Sequence, residues 1–388
     1  MEIQTKKILN WTLILLALTN LFILFNIPVL QQVFGFIVFS IIPGLLILFW
    51  FKQENPDFWK FLVYSTGLSI SFLMLGGILI NQLLHSLGIP NPLAPVYLVA
   101  CLDLLILGIW KITYDKNKDN IIFLQKHGFP SKSKVLFAIP FLFPILAILG
   151  ARHLDSAGQS IIPMLLITVM SIYALALAVF YRRWNISKNV FALAIFMIAL
   201  SLLFMVSLRS GHIFGCDVHG EYFVYQLTKD NLHWEPNVYS YNPCLSITLL
   251  PVVYNSITGI AGEQIFTILF QVLFALCPLI IFLMMRRYTS SLYAFLSALF
   301  FSSIEIFSLF VTIARNEIAL LFFVLSLLVF FDNALTKASK KTFFIIFGIM
   351  LILSHYTVSY IYVGLLISMI IANLVSEKIT KYRSSALI

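Results

Sequence analysis

Residues 189–208 read NVFALAIFMIALSLLFMVSL, and residues 209–222, RSGHIFGCDVHGEY, follow directly. The first stretch holds no ionisable side chain, and a helix of about 20 residues rises about 30 Å, the thickness of a bilayer's hydrocarbon core. Its apolar positions are continuous rather than alternating, so it reads as a membrane-spanning helix and not as a barrel strand. The second stretch is abruptly polar: Arg209, His212, Asp217, His219 and Glu221 crowd into it. Fold is decided in the first stretch, and chemistry begins in the second.

Eleven further apolar runs lie near 8–26, 33–51, 61–84, 94–113, 135–150, 160–181, 264–285, 289–309, 317–331, 342–354 and 357–375. The composition agrees: of 388 residues 61% are hydrophobic and 11% charged, with a mean hydropathy of +0.98. Soluble domains run at roughly 45–50% apolar and about 25% charged, which excludes a soluble enzyme. The expected fold class is an all-α, polytopic membrane helix bundle with about 12 transmembrane helices. The first run follows Lys6 and Lys7, is longer than a signal-peptide core and has no small-residue cleavage site, so it reads as retained.

Lys and Arg in short connections stay on the cytoplasmic side. With the N-terminus inside, 21 of the 25 cations fall on inner segments, including Lys52, Lys60, Lys118, Lys126, Lys188, Arg286, Lys337 and Lys378. Only Arg152, Arg209, Lys229 and Arg315 fall outside, beside Asp155, Asp217, Glu221, Asp230, Glu235, Glu263, Glu305 and Glu317. The net charge of +9 is then +14 inside, −4 outside and −1 for the intramembrane Asp103. Both termini are expected in the cytoplasm of a multi-pass plasma-membrane protein, and the basic surplus calls for no nucleic acid. Residues 243–260, PCLSITLLPVVYNSITGI, are apolar but interrupted by Pro243, Pro251 and Gly259. They read as an interfacial or re-entrant helix on the outer face, since a thirteenth crossing would invert every later connection.

The chain divides by character. Residues 1–185 form a six-helix module with short outer turns, a scaffold or accessory; residues 186–388 carry the long outer loop 209–263. Cys101 and Cys277 sit within spans as small packing residues. Cys216 and Cys244 share the outer loop, where an oxidising compartment would allow a disulfide or leave two free thiols.

Three polar clusters, Gly215–Tyr222, Ala314–Glu317 and Ser354–Thr357, fall on that outer side although far apart in sequence. Asp217, His219 and Glu221 share one face if extended; if helical, Asp217 and Glu221 share a face without His219. Two carboxylates at a common point suit a general base or a cation such as Mg2+ or Mn2+, whereas the plainer reading is a turn with Asp217 capping a helix. Arg315, an outer cation against the positive-inside trend, needs an anion, either Glu317 or Glu305 or a ligand phosphate. His355 and Tyr356 break an apolar stretch, as an interhelical hydrogen-bonding pair or as ligands to a phosphate or sugar hydroxyl. Tyr222, Tyr225 and Trp234 offer stacking surfaces to a sugar ring. Together these suit an enzyme whose donor is a lipid phosphate in the outer leaflet.

The run GCDVHGEY, the segment YNPCLSITLLP, then ARNE and SHYTVSY resemble the GT-C superfamily of polytopic glycosyltransferases, and more closely archaeal predicted membrane proteins assigned to it, over about residues 186–388. The resemblance implies a polyprenyl-phosphate sugar donor and an acidic motif at Asp217 and Glu221. In this chain six spans precede the one that leads into that loop, whereas in the superfamily the loop usually follows the first. A lipid-linked glycan transporter or flippase would instead show paired broken helices with ionisable groups at mid-depth. An O-antigen ligase or polymerase would share the donor and transfer a whole glycan.

Overall fold

A computed structural model describes residues 2–51, 57–117, 121–123 and 131–385. Lys52, Lys118 and Lys126, used above to orient the chain, lie outside the described residues. The helices in chain order are α1 Thr5–Leu24, α2 Leu30–Trp50, α3 Phe58–Ser86, α4 Pro95–Asn117, α5 Ser133–Ala157, α6 Ile162–Phe180 and α7 Lys188–Ser207. There follow α8 Asp217–Asn231, α9 Leu249–Thr258, α10 Gly262–Met285, α11 Ser291–Ser303, α12 Glu305–Leu309, α13 Ala314–Phe331, α14 Lys337–Ser354 and α15 Tyr356–Ser385. Among the described residues the exception to an all-helical chain is a two-stranded antiparallel ladder pairing Glu2–Gln4 with Ile121–Phe123.

Every expected run is helical, but among the described residues ten helices are long and apolar enough to cross a membrane, or up to eleven with one bent pair. The multi-pass membrane class stands, and the difference in count has two local causes. The run at 289–309 bends by 58° at Ile304, whose extended backbone separates α11 from α12. The run at 342–354 is an 18-residue helix whose first turns carry Lys337, Lys340 and Lys341.

Contacts between chain segments define two ends of the bundle. At one end the Glu2–Phe123 ladder, the Lys60–Asp332 pair and the Lys188–Asp57 pair bring basic connections together. At the other, the turn after α3 and the 209–248 loop meet: Leu93 N–H donates to Leu232 O at 2.9 Å, and Asn81 and Trp234 exchange two hydrogen bonds of 2.9 Å. We call these the basic rim and the acidic rim. Between them α2 and α3 pack backbone to backbone: a Cβ on Gly44 would stand 1.9 Å from Ser65 O, and Gly44 N–H, beside Pro43, donates to Ser69 Oγ at 2.8 Å. Small residues at the contact are how helices associate where lipid is as apolar as leucine. Helix α3 also packs on α9, α10, α13 and α14, while α5 packs on α6 and α7.

Helix α9 is the apolar segment read as interfacial or re-entrant. It does not lie on a lipid surface: Leu249 to Tyr254, Ile257 and Thr258 are all buried. Its Tyr254 hydroxyl reaches Ser40 at 2.8 Å, and Gln31 Nε2 donates to Ile257 O at 3.1 Å. Since Gln31 is at the acidic-rim end of α2 and Ser40 more than two turns further in, α9 dips into the bundle and returns. Backbone that ends inside a membrane protein needs such partners, because lipid offers none.

Candidate functional site

Asp217 opens α8, and the helix sets the choice between the two geometries above: Asp217 and Glu221, four residues apart, share a face, while His219 is exposed on another. Asp217 does not cap α8, whose N-terminal position is Cys216 with no side-chain bond. Gly215 places the helix. Its φ of +131° suits glycine, and a Cβ there would stand 2.5 Å from Thr312 Cβ, so the chain passes directly over the start of α13.

There the two acids meet Arg315. Its Nη1 donates to Glu221 Oε1 at 2.7 Å and its Nη2 to Asp217 Oδ2 at 2.9 Å, while Ala314 N–H donates to Glu221 Oε2 at 2.7 Å. Like charges at i and i+4 repel on an isolated helix; the guanidinium between them reverses the sign. Arg315 is 4% exposed and Glu221 0%, whereas Asp217 is 42% exposed. The guanidinium also lies over the Tyr241 ring at 4.4 Å and near that of Tyr356 at 6.0 Å. Burial raises the Glu221 carboxyl to about 7, with Arg315 and the Ala314 and Arg315 N–H groups pulling it down.

Two capacities are unspent. Arg315 Nε–H is buried without a partner, and Asp217 Oδ1 makes no hydrogen bond among the described residues. Both Arg315 Nη groups donate to protein carboxylates, and these are Asp217 and Glu221 rather than Glu317 or Glu305. Glu305 is exposed. Glu317 is fully buried a helical step below, where its Oε2 accepts from Gln271 Nε2 at 3.2 Å and its Oε1 has no partner. The arrangement does not fit a two-carboxylate Mg2+ or Mn2+ site either. Both Glu221 oxygens are committed, and a guanidinium occupies the space between the acids. Among the described residues no group of three or more His, Cys, Asp or Glu is placed to hold a metal.

The aromatic residues fall differently from the sequence reading. Tyr225 is buried against Gly262, where a Cβ would stand 2.4 Å from its ring. Trp234 is buried and donates from Nε1 to Asn242 O at 2.9 Å, so it fastens the loop and presents no free face. Tyr222 is half-buried, packed on Tyr225 and Phe266 with ring centroids 5.5 and 5.7 Å away. The accessible rings at this rim include Tyr356, 49% exposed, Tyr239, and in part Tyr241. His355 is buried and caps α15, its Nδ1 accepting from Val358 N–H at 3.2 Å. Burial and Arg315 depress its pKa to about 4, so the ring is neutral at ordinary pH and is not a cationic phosphate ligand. Asp103 accepts from Asn20 Nδ2 at 2.8 Å, an interhelical bond between α1 and α4. All four cysteines are free, with Cys216 exposed and Cys244 buried. Burial pushes the Cys244 thiol up to about 11.

Tyr241 and the Ala314 N–H are site members that the sequence reading missed. Tyr241 carried one weak signal, its i, i+2 spacing from Tyr239 in YSYNP; the Ala314 amide carried none. No family model, curated protein or solved structure matches the chain.

Proposed function

We propose that the protein is a multi-pass membrane glycosyltransferase, taking sugar from a polyprenyl-phosphate donor at the acidic rim. In this reading the basic rim and both termini face the cytoplasm and the acidic rim faces outside, in keeping with the positive-inside bias. The observation that carries the reading is the state of Asp217. One of its oxygens is anchored by a buried guanidinium and the other is unspent, at the acidic rim of the bundle. A carboxylate so fixed is ready to accept a proton without first reorganising.

The step follows from that. An acceptor hydroxyl oxygen attacks the anomeric carbon, its proton passes to Asp217, and the bond from that carbon to the phosphate oxygen breaks, releasing polyprenyl phosphate. Arg315 and Glu221 are positioning residues: they set the carboxylate's orientation and do not touch the reacting atoms. Tyr356 and Tyr241, the rings beside the Arg315 guanidinium, serve as faces for a sugar ring.

The test is an assay of the purified protein in lipid nanodiscs with a panel of polyprenyl-phosphate sugars and polyol or glycan acceptors. Transfer is expected with at least one donor, falling by about 10²-fold or more in Asp217→Asn at an unchanged thermal midpoint. Full activity in that variant would remove Asp217 from the chemistry. A second reading, transport of the lipid-linked glycan, draws on Glu317, an ionisable side chain buried in α13 with an unpartnered oxygen. Movement of the labelled donor across the nanodisc's counterpart in sealed vesicles, with no glycosidic product, selects it.

A further inference from the structure

Two carboxyls in the spanning helices pair with a carboxamide of a neighbouring helix, and both pairs show the same pattern. Glu317 on α13 accepts from Gln271 Nε2 on α10 at 3.2 Å, and Asp103 on α4 accepts from Asn20 Nδ2 on α1 at 2.8 Å. In each pair the acid's other oxygen and the amide's oxygen are buried without a partner: Glu317 Oε1 and Gln271 Oε1 in one, Asp103 Oδ1 and Asn20 Oδ1 in the other. Buried acceptors are nearly always satisfied, so two left over on groups already in contact call for an explanation.

The Glu317 pair is the sharper case, because both residues are fully buried. Neither leftover oxygen touches a space that would hold a water molecule, so no ligand of that size reaches them. Turning the amide round does not help. Gln271 Nε2 also donates to Phe266 O at 3.0 Å, and a reversed amide would set its oxygen against a carbonyl and a carboxyl oxygen. Phe266 lies in a π turn, Ile265–Leu269, an interruption found frequently at functional sites. No cation balances a charge here. Among the described residues the ionisable groups acting on Glu317 are Glu221 on α8 and the Cys277 thiol on α10, while α3, α14 and α15, which also pack on α13, bring it none. Arg315 stands two residues earlier, a spacing that does not share a helix face, and its fork is turned to Asp217 and Glu221. A carboxylate buried alone is so costly that the group takes up a proton instead.

We infer that Glu317 is a proton-binding site: its Oε1 carries a proton at neutral pH and donates to Gln271 Oε1, while Gln271 Nε2 donates back to Glu317 Oε2. A protonated acid has one O–H to give, and an amide has a donor side and an acceptor side. The two groups therefore close a ring of two hydrogen bonds, and each orphan oxygen becomes the other's partner. A proton is the one ligand that needs no cavity. The ring ties α10 to α13, the helix that carries Arg315. The inference rests on neither the transferase nor the transport reading.

The experiment is infrared spectroscopy of the whole protein in lipid nanodiscs at neutral pH, read as parent-minus-variant differences. Glu317→Gln, the neutral isostere, should remove one C=O stretch of a protonated carboxylic acid, a band that moves to lower frequency in D2O. Its thermal midpoint should equal the parent's, because an amide at position 317 makes both bonds of the ring without a proton. Gln271→Leu should keep the band and shift it to higher frequency, as for an acid whose O–H has lost its acceptor. Loss of carboxylate stretches in place of the acid band in Glu317→Gln, a Glu317 band indifferent to Gln271→Leu, or a Glu317→Gln protein that no longer folds each overturns the inference. The band reports the proton whether or not sugar is transferred, so a failed transfer assay and a failed proton site are told apart.

Discussion

The two ends of the bundle each bury an acid beside a cation, and they do it differently. At the basic rim Asp332 accepts from Lys60 Nζ at 2.9 Å, Tyr64 hydroxyl at 3.1 Å and Ala334 N–H at 3.1 Å. Both carboxylate oxygens are used, and Lys60 keeps 29% exposure. At the acidic rim one guanidinium serves two carboxylates, and both a buried N–H and a carboxylate oxygen are left over. A closed network serves to fasten helices: Lys60 on α3 is thereby tied to the end of α13. An open one with excess negative charge keeps capacity for something that is not part of the chain. The contrast is why Asp217, and not Asp332, is the candidate for chemistry.

The largest effect that would test this contrast is on stability at the acidic rim. Arg315→Leu strands Glu221 and Asp217 face to face without a cation, and breaking one partner of a buried pair costs about 3–5 kcal/mol. The denaturation midpoint of the detergent-solubilised protein should fall accordingly, with Arg315→Lys intermediate because a point charge cannot bridge two carboxylates as a fork does. A variant that unfolds like the parent would mean that the acidic-rim network holds nothing.

Next in size is a pH effect at the same place. The Glu221 carboxyl, raised from 4.5 to about 7, keeps its proton in the fold over a window in which the unfolded chain has released it. The native state then binds more protons than the unfolded state, so stability falls as pH rises from about 4.5 to 7, by on the order of 3 kcal/mol for this group alone. Thermal midpoints measured across that window should decline, and Glu221→Gln should flatten the part of the slope due to this residue. A parent slope that persists unchanged in the variant assigns it to other groups.

How much of this was legible beforehand differs between the same two regions. The helices were, because an apolar run of some 20 residues in a bilayer has one solution. Thus residues 189–208 became α7, one residue displaced, and Pro243, Pro251 and Gly259 rightly kept residues 243–260 from being a span. The start of α14 was hidden because its first turns carry three lysines, and the bend at Ile304 because nothing in FFSSIEIF announces a break. At the site, the i, i+4 pairing of Asp217 with Glu221 was legible once a helix was assumed. Its union with Arg315, more than 90 residues away, was not: it depends on how closely Gly215 passes Thr312, which no local pattern encodes. Tyr225 and Trp234 looked like free stacking surfaces for a related reason. Aromatic residues in a polar loop read as exposed, and only the packing of Gly262 and Asn81 against them shows that they are not.

The smallest expected effect is at the basic rim. Lys60→Met removes the ammonium but keeps most of the aliphatic stem, which can go on packing where α3 meets α13. Asp332, although 4% exposed, retains the Tyr64 hydroxyl and the Ala334 N–H, so it is weakened and not orphaned. A partly exposed pair of this kind contributes about 1 kcal/mol or less. The midpoint should therefore move by that much, and less at high salt, since Lys60 is open to screening. Transfer activity per folded molecule should not move at all, because the pair lies at the far end of the bundle from Asp217. A loss of activity in Lys60→Met larger than its loss of stability would break the division between a fastening end and a working end. It would mean that the Lys60–Asp332 tie sets the position of α13, and through it the position of Arg315 at the helix's other end.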